Sequence, residues 1–174
     1  LITIMLSVII GSITLSGSFI AFGKLKGFIS GQPITYPGQN IFNFIILIAI
    51  VGASYLSVLD SANLNIFYMV VGIGLLLGIL SVIPIGGADM PVVISLLNSY
   101  SGIAAACTGF VLQNHALIVS GALVGASGLF LTNIMCKGMN RSLSNVLFSA
   151  FGKVDTTVVQ KTATGITVKE MSPD

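Results

Sequence analysis

Charge is what this sequence has least of. Only 7% of its 174 residues are Asp, Glu, Lys or Arg, against roughly a quarter in a soluble domain. Hydrophobic residues make up 55%, and the mean hydropathy is +1.04. So few polar side chains cannot cover a surface in water, so the solvent of such a chain is itself apolar. The net charge of +2 is small and the basic residues form no block of the kind that tracks phosphates, which excludes nucleic acid as a partner. Cysteine is nearly absent as well: Cys107 and Cys136 lie inside apolar runs and read as small buried hydrophobes rather than a disulfide or metal pair. No Gly-x-Gly-x-x-Gly follows a strand, no P-loop or His/Glu zinc pattern occurs, and no nucleophile stands with a spaced base and acid. The chain therefore carries no complete catalytic site, no metal site and no cofactor site of its own.

What is present is a succession of long apolar segments. The first spans 1–23; at 1.5 Å per residue it reaches roughly 34 Å, enough to cross a hydrocarbon core about 30 Å thick. It lacks a basic n-region and is too long for a signal-peptide core. Because the sequence opens on Leu1 rather than Met, it reads as a fragment or a processed product. The stretch from Lys24 to Asn40 contains Pro33, Pro37 and Gly38 and reads as a loop. Further segments run over 41–59, ending at Asp60, over 64–83, ending at Pro84-Ile85-Gly86-Gly87-Ala88-Asp89, over 90–112, and over 116–136. The expected fold is an all-α integral membrane bundle of five antiparallel transmembrane helices occupying 1–152. The polar residues 153–174 are too few to bury a core and read as a linker.

Basic residues are retained on the cytoplasmic side of a membrane. Lys24 and Lys26 place the end of the first helix inside. Counting crossings then puts Asp60 and Gln113-Asn114-His115 outside, and the Gly86–Asp89 corner, Lys137, Arg141 and Lys153 inside. Every basic residue lands on one side.

Residues three or four apart share a helix face. Small and polar side chains then fall into stripes: Gly11, Thr14, Ser18 and Ala21; Gly74, Gly78 and Ser81; Ser95, Asn98, Gly102, Ala105 and Gly109; and Gly121, Gly125, Gly128 and Thr132. The second helix has none and is expected to face lipid most. The glycines, among them Gly121, Gly125 and Gly128, read as helix-packing positions that permit close approach. Asn98 is a primary amide in hydrocarbon, where polar groups left unpaired are costly, so it is expected to point into the bundle. Asp89, just ahead of Met90-Pro91, reads equally as an N-cap and as a functional acid, with Arg141 its candidate charge partner. His115, the only histidine, reads as a solvated turn residue.

The runs Gly86-Gly87-Ala88-Asp89-Met90-Pro91-Val92-Val93 and Leu97-Asn98-Ser99-Tyr100-Ser101-Gly102 resemble the membrane domain of the beta subunit of proton-translocating NAD(P) transhydrogenase, in the C-terminal half of that domain. The likeness continues in Gly121-Ala122-Leu123-Val124-Gly125-Ala126-Ser127-Gly128, in Ile134-Met135-Cys136-Lys137, in Met139-Asn140-Arg141-Ser142, and in Ser16-Gly17-Ser18 with Ala21-Phe22-Gly23-Lys24-Leu25. It covers about residues 5–152 and implies a complex that couples hydride transfer from NADH to NADP+ to inward proton movement. By position, Ser18 and Asn98 match the family's polar channel residues, and Asp89 and Arg141 match charged residues where the NADP-binding domain docks. The implied partners are lipid, the remaining transmembrane helices, and the NADP-binding and NAD-binding soluble domains, which hold NADP and NAD, in a dimer of the full complex. The implied location is the bacterial inner membrane, or else the mitochondrial inner membrane, with the tail on the cytoplasmic or matrix side. The family's earlier helices, one bearing a histidine central to proton transfer, and its NADP-binding domain have no counterpart in this sequence, and His115 is no substitute. Two other readings fit the same stripes: a small channel or carrier that transports alone, and a structural membrane subunit without catalysis.

Overall fold

The computed structural model describes residues 1–35, 38–59, 63–140 and 142–143. Asp60, Arg141 and the expected linker 153–174 lie outside the described residues. Regular structure among the described residues is entirely helical: α1 Ile2–Leu25, α2 Gln39–Leu59, α3 Leu64–Val82, α4 Met90–Leu112 and α5 His115–Gly138, with a 3-10 turn at Gly87–Asp89 leading into α4. All five are long and apolar enough to cross a membrane, which is the class the composition demanded.

Local chemistry explains the breaks. The Asn63 side chain accepts the N–H of Asn65 at 3.3 Å to start α3, and Pro84, which has no N–H to continue a helix, follows the α3 C-cap Ile83. Pro91 sits in the first turn of α4, where a missing donor costs nothing. Asp89 occupies the N-cap position of α4 but makes no side-chain cap hydrogen bond, so the capping role open to it in the sequence is not the one it takes. The turn from α4 to α5 needs only Gln113, in the left-handed region at φ 52°, and Asn114, whose Oδ1 accepts the N–H of Leu117 at 3.2 Å. His115 then opens α5 on an exposed face.

The helices pack in the spatial order α2, α3, α1, α4, α5, each mainly on its neighbours in that row. Register follows from the pairs that touch. A Cβ at Gly74 would meet Ser12 and one at Gly78 would meet Ser16, while a Cβ at Gly17 would meet Val82, so α1 and α3 advance together. Ser7 bonds Ala104 and Thr108 whereas Gly17 approaches Leu97, so α1 and α4 run in opposite directions. In lipid no hydrophobic effect draws helices together, and close backbone approach through small residues supplies the attraction instead. The outer faces stay apolar and exposed, as at Phe19 (69%) and Phe130 (71%).

Two face assignments made from the sequence are corrected here. Of the expected α1 stripe Thr14 and Ala21 are buried, but Ser18 is exposed and nothing lies within 4 Å of where a Gly11 Cβ would be, and Ser12, Ser16 and Gly17 are buried instead. The second helix is not the most lipid-facing: α2 buries Asn43, Ile46, Ile50, Ser54 and Ser57 along one line. Of its most apolar stretch 28% is buried, against 22% for α5. That line mixes Ile with Asn and Ser, and a search for small residues alone passes over it.

Candidate functional site

Helix α4 is the centre of the polar architecture. Toward α5 it presents Ser95, Ser99, Gly102 and Gly109, all buried. Opposite them on α5, Gly121, Gly125, Gly128 and Thr132 are buried. A Cβ at Gly121 would stand 2.5 Å from the Ala106 nitrogen and 2.7 Å from the Gly102 oxygen, and one at Gly128 would stand 2.7 Å from the Ser99 Cβ. The two backbones are therefore in direct contact. Residue numbers fall along α4 as they rise along α5, from Gly109 beside Ile118 to Ser99 beside Gly128. Hydroxyls fill the seam: Ser99 Oγ donates to the Gly125 carbonyl at 2.5 Å, Ser95 Oγ to the Gly128 carbonyl at 3.1 Å, and Thr132 Oγ1 reaches both Ser95 Oγ at 3.1 Å and the Gly128 carbonyl at 2.7 Å. Each donor meets an acceptor that lipid could not provide.

Between α1 and α4 lies an open hollow of about 550 Å³, lined by Gly11, Thr14, Leu15, Ser18, Phe19, Phe22 and Ser101. A smaller hollow of about 200 Å³ between α4 and α5 is lined by Ser101, Gly102, Ala105, Ser120, Gly121 and Val124. Ser101 borders both. Its hydroxyl donates to the Leu97 carbonyl at 3.0 Å and keeps its lone pairs for an incoming donor. Toward the other end of the α1–α4 contact, Ser7 Oγ lies 2.7 Å from Thr108 Oγ1 and donates to the Ala104 carbonyl at 3.1 Å.

The structure places the expected polar residues differently from the stripe argument. Ser18 and Asn98 are both exposed on this bundle rather than packed within it. The reason is angular. At about 100° per residue, Ser99, Gly102, Ala106 and Gly109 all lie within roughly 40° of Ser95, whereas Asn98 and Ala105 lie roughly 60–80° away and Ser101 roughly 120° away. A spacing of three or four fits both lines, and only the position of α5 selects one. Asn98 thus shares its side of α4 with Ser101 and looks outward, while Ser18 looks into the α1–α4 hollow.

A second locus lies where α3 turns into α4. Asp89 is buried (6%) there, and around the same corner Ile85 with Met90, Val92, Val93 and Leu97 of α4, Ala21 of α1, Val82 of α3 and Cys136 of α5 form one apolar cluster. Lys24 from the last turn of α1 is also buried (4%), and its amine donates to the carbonyls of Ile83 and of Ile85, the latter at 2.8 Å. Lys26, by contrast, is exposed over the rings of Phe22 and Phe28, 5.5 Å from each centroid. Nothing in the local sequence separates the two lysines, because the partner carbonyls lie about sixty residues away. Arg141, the candidate partner of Asp89, lies outside the described residues, so the pair is not tested by the geometry.

Comparison with known proteins bears on what these loci belong to. A family model described as NAD(P) transhydrogenase beta subunit matches residues 1–174. Two sequences from Rhodospirillum rubrum, each described as NAD(P) transhydrogenase subunit beta, are 51% identical over 152 residues, covering 87% of this chain and 32% of the relative. The chain thus spans about a third of the length of the curated relatives it matches. Five membrane-spanning helices and this match together make it an integral membrane protein, and the chain belongs to the NAD(P) transhydrogenase beta subunit family.

Proposed function

We propose that this chain forms part of the proton-conducting membrane domain of a proton-translocating NAD(P) transhydrogenase, coupling hydride transfer from NADH to NADP+ to inward proton movement. The observation that carries the reading is a group of polar side chains on one lipid-facing side of α1 and α4: Ser18 and Ser101 border a hollow otherwise lined mainly by Leu15, Phe19 and Phe22, and Asn98 is exposed on the same side of α4 as Ser101. An exposed amide in hydrocarbon leaves donors and acceptors unsatisfied at a cost of about 1 kcal/mol or more for each. Asn98 in lipid therefore calls for another transmembrane element over this face. On this reading the remaining helices of the complex cover the groove and complete the path, which a chain spanning a third of its relatives does not do alone.

A proton crosses such a path without a bare charge at mid-membrane, where an unpaired charge costs several kcal/mol. Hydroxyl and amide groups with bound water donate and accept in turn, so Ser18 and Asn98 hold the relay while ionisable groups stay at its ends. Asp89, buried just beneath the α3–α4 corner, and Arg141 belong to the inner-face region on which the NADP-binding domain docks. That assignment puts the Lys24–Asp89 end of the bundle on the cytoplasmic side of the bacterial inner membrane, or the matrix side in mitochondria. NADP and NAD are substrates held by the partner soluble domains, and the complex works as a dimer.

The test uses the assembled complex in liposomes, with NADH-driven reduction of an NADP+ analogue and internal acidification recorded together. Asn98→Leu is expected to suppress both when they are coupled, at least tenfold. Unchanged proton-coupled turnover in Asn98→Leu removes Asn98 from the path, and proton transport by the isolated chain favours an autonomous channel instead.

A further inference from the structure

We propose that Lys24 is a positioning residue that clamps the corner from Ile83 to Asp89 onto the end of α1, so that movement of the corner is transmitted to the groove bearing Ser18; this rests on the transhydrogenase reading above. The clamp is visible in the bonds. The ammonium of Lys24 donates to the carbonyl of Ile83, the C-cap residue of α3, and at 2.8 Å to that of Ile85, with Pro84 fully buried between them. The last carbonyls of a helix have no partner inside it and carry the negative end of its dipole, so a cation is the group they favour most. An ammonium has three donors on one atom and can hold two carbonyls at once, which no aliphatic side chain reproduces.

A second tie acts beside the first. The chain after α1 folds back, Ile29 N–H donating to the Gly23 carbonyl at 3.1 Å, and brings the Gly31 carbonyl to the N–H of Gly87 at 2.8 Å. The corner is therefore held from both the end of α1 and the loop that follows it, immediately before the turn that carries Asp89 into α4. Of the three described lysines only Lys24 is built in this way, since Lys26 and Lys137 are exposed. Ser18 stands six residues earlier on the same helix, roughly 9 Å along its axis. A rigid α1 gripped at Lys24 thus links the surface assigned to docking with the hollow assigned to protons, and the corner cannot shift without drawing on that grip.

The experiment compares wild type, Lys24→Met and Lys24→Arg in the assembled complex by two readouts: amide hydrogen exchange across residues 84–90, and protons taken up per hydride transferred in liposomes. Lys24→Met is expected to speed exchange at Gly87 at least tenfold and to lower the proton-to-hydride ratio at least twofold while hydride transfer continues. Lys24→Arg, which keeps the charge and its donors, is expected to recover part of both. A merely structural lysine would reduce the amount of assembled complex without changing the ratio per complex. Unchanged exchange in Lys24→Met overturns the clamp. Faster exchange with an unchanged ratio overturns the transmission to the groove and leaves the transhydrogenase reading intact. Absence of coupled proton uptake in wild type defeats that reading instead, with the exchange result still deciding the clamp. Should Lys24→Met not assemble, Lys24→Gln, with a shorter neutral amide donor, is judged by the same two ratios.

Discussion

Gly102→Ala adds one methyl group where the structure has no room for it. The new Cβ would stand 2.8 Å from the Gly121 oxygen and 3.0 Å from the Gly125 Cα, whereas carbon atoms in comfortable contact are about 3.5–4.0 Å apart. Both obstacles are backbone, so no side chain can swing aside, and α4 and α5 must separate by roughly half an ångström or more. A gap of that size forfeits about a quarter of the dispersion attraction along the seam. Overpacking of this kind costs about 1–3 kcal/mol. The same separation stretches the bonds of Ser95, Ser99 and Thr132 across the seam, each worth about 0.6 kcal/mol in a membrane helix pair. The expected loss is therefore about 3 kcal/mol. The assay is reversible unfolding of the purified protein in mixed detergent micelles, followed by far-ultraviolet circular dichroism. Gly72→Ala serves as control, because nothing lies within 4 Å of its added Cβ, and Ala in a helix is favoured over Gly by about 1 kcal/mol. A Gly102→Ala protein as stable as Gly72→Ala would refute the backbone contact on which the α4–α5 seam is built.

Other outcomes follow from the same geometry. Asn98→Leu, expected to suppress coupled turnover in the assembled complex, should leave the unfolding midpoint of the isolated chain unchanged or raise it, because Asn98 is exposed there; a loss above about 1 kcal/mol would mean that it packs within the bundle after all. Ser95→Ala removes the donor to the Gly128 carbonyl and the acceptor for Thr132, and is expected to cost about 1 kcal/mol by the same assay. Gln113→Gly relieves a non-glycine residue at φ 52° and is expected to stabilise by about 0.5 kcal/mol, the left-handed penalty slightly exceeding the entropy that glycine loses on folding.

Much of this architecture was legible in residue order because lipid imposes simple demands. A spanning segment must be long, apolar and helical, and its ends are marked either by a residue without a donor, as at Pro84, or by polar turn residues, as at Gln113-Asn114. That logic yields the all-helical class and the number of spans among the described residues without any knowledge of neighbours. The α4–α5 glycines were legible for a related reason, since Gly121, Gly125 and Gly128 recur at helical spacing and have few uses in a membrane other than close approach.

Which polar residues face inward was a different kind of question. Asn98 and Ser99 are one residue apart and both stand about one turn from Ser95 and Gly102; sequence periodicity admits either, and the position of α5 buries Ser99 and exposes Asn98. The buried line of α2 leaves no small-residue pattern in the sequence, because its members share a direction but not a size. Lys24 and Lys26 look alike along the chain, yet one is buried on the carbonyls of Ile83 and Ile85 just past α3 and the other lies over two exposed rings. Composition and hydrophobic length, which are sums over one segment, determined that the protein is helical and lives in a membrane. Burial, partner and register depend on which helix stands beside which, and only the tertiary structure decided those, because a helix face has no inside until a second helix is laid against it.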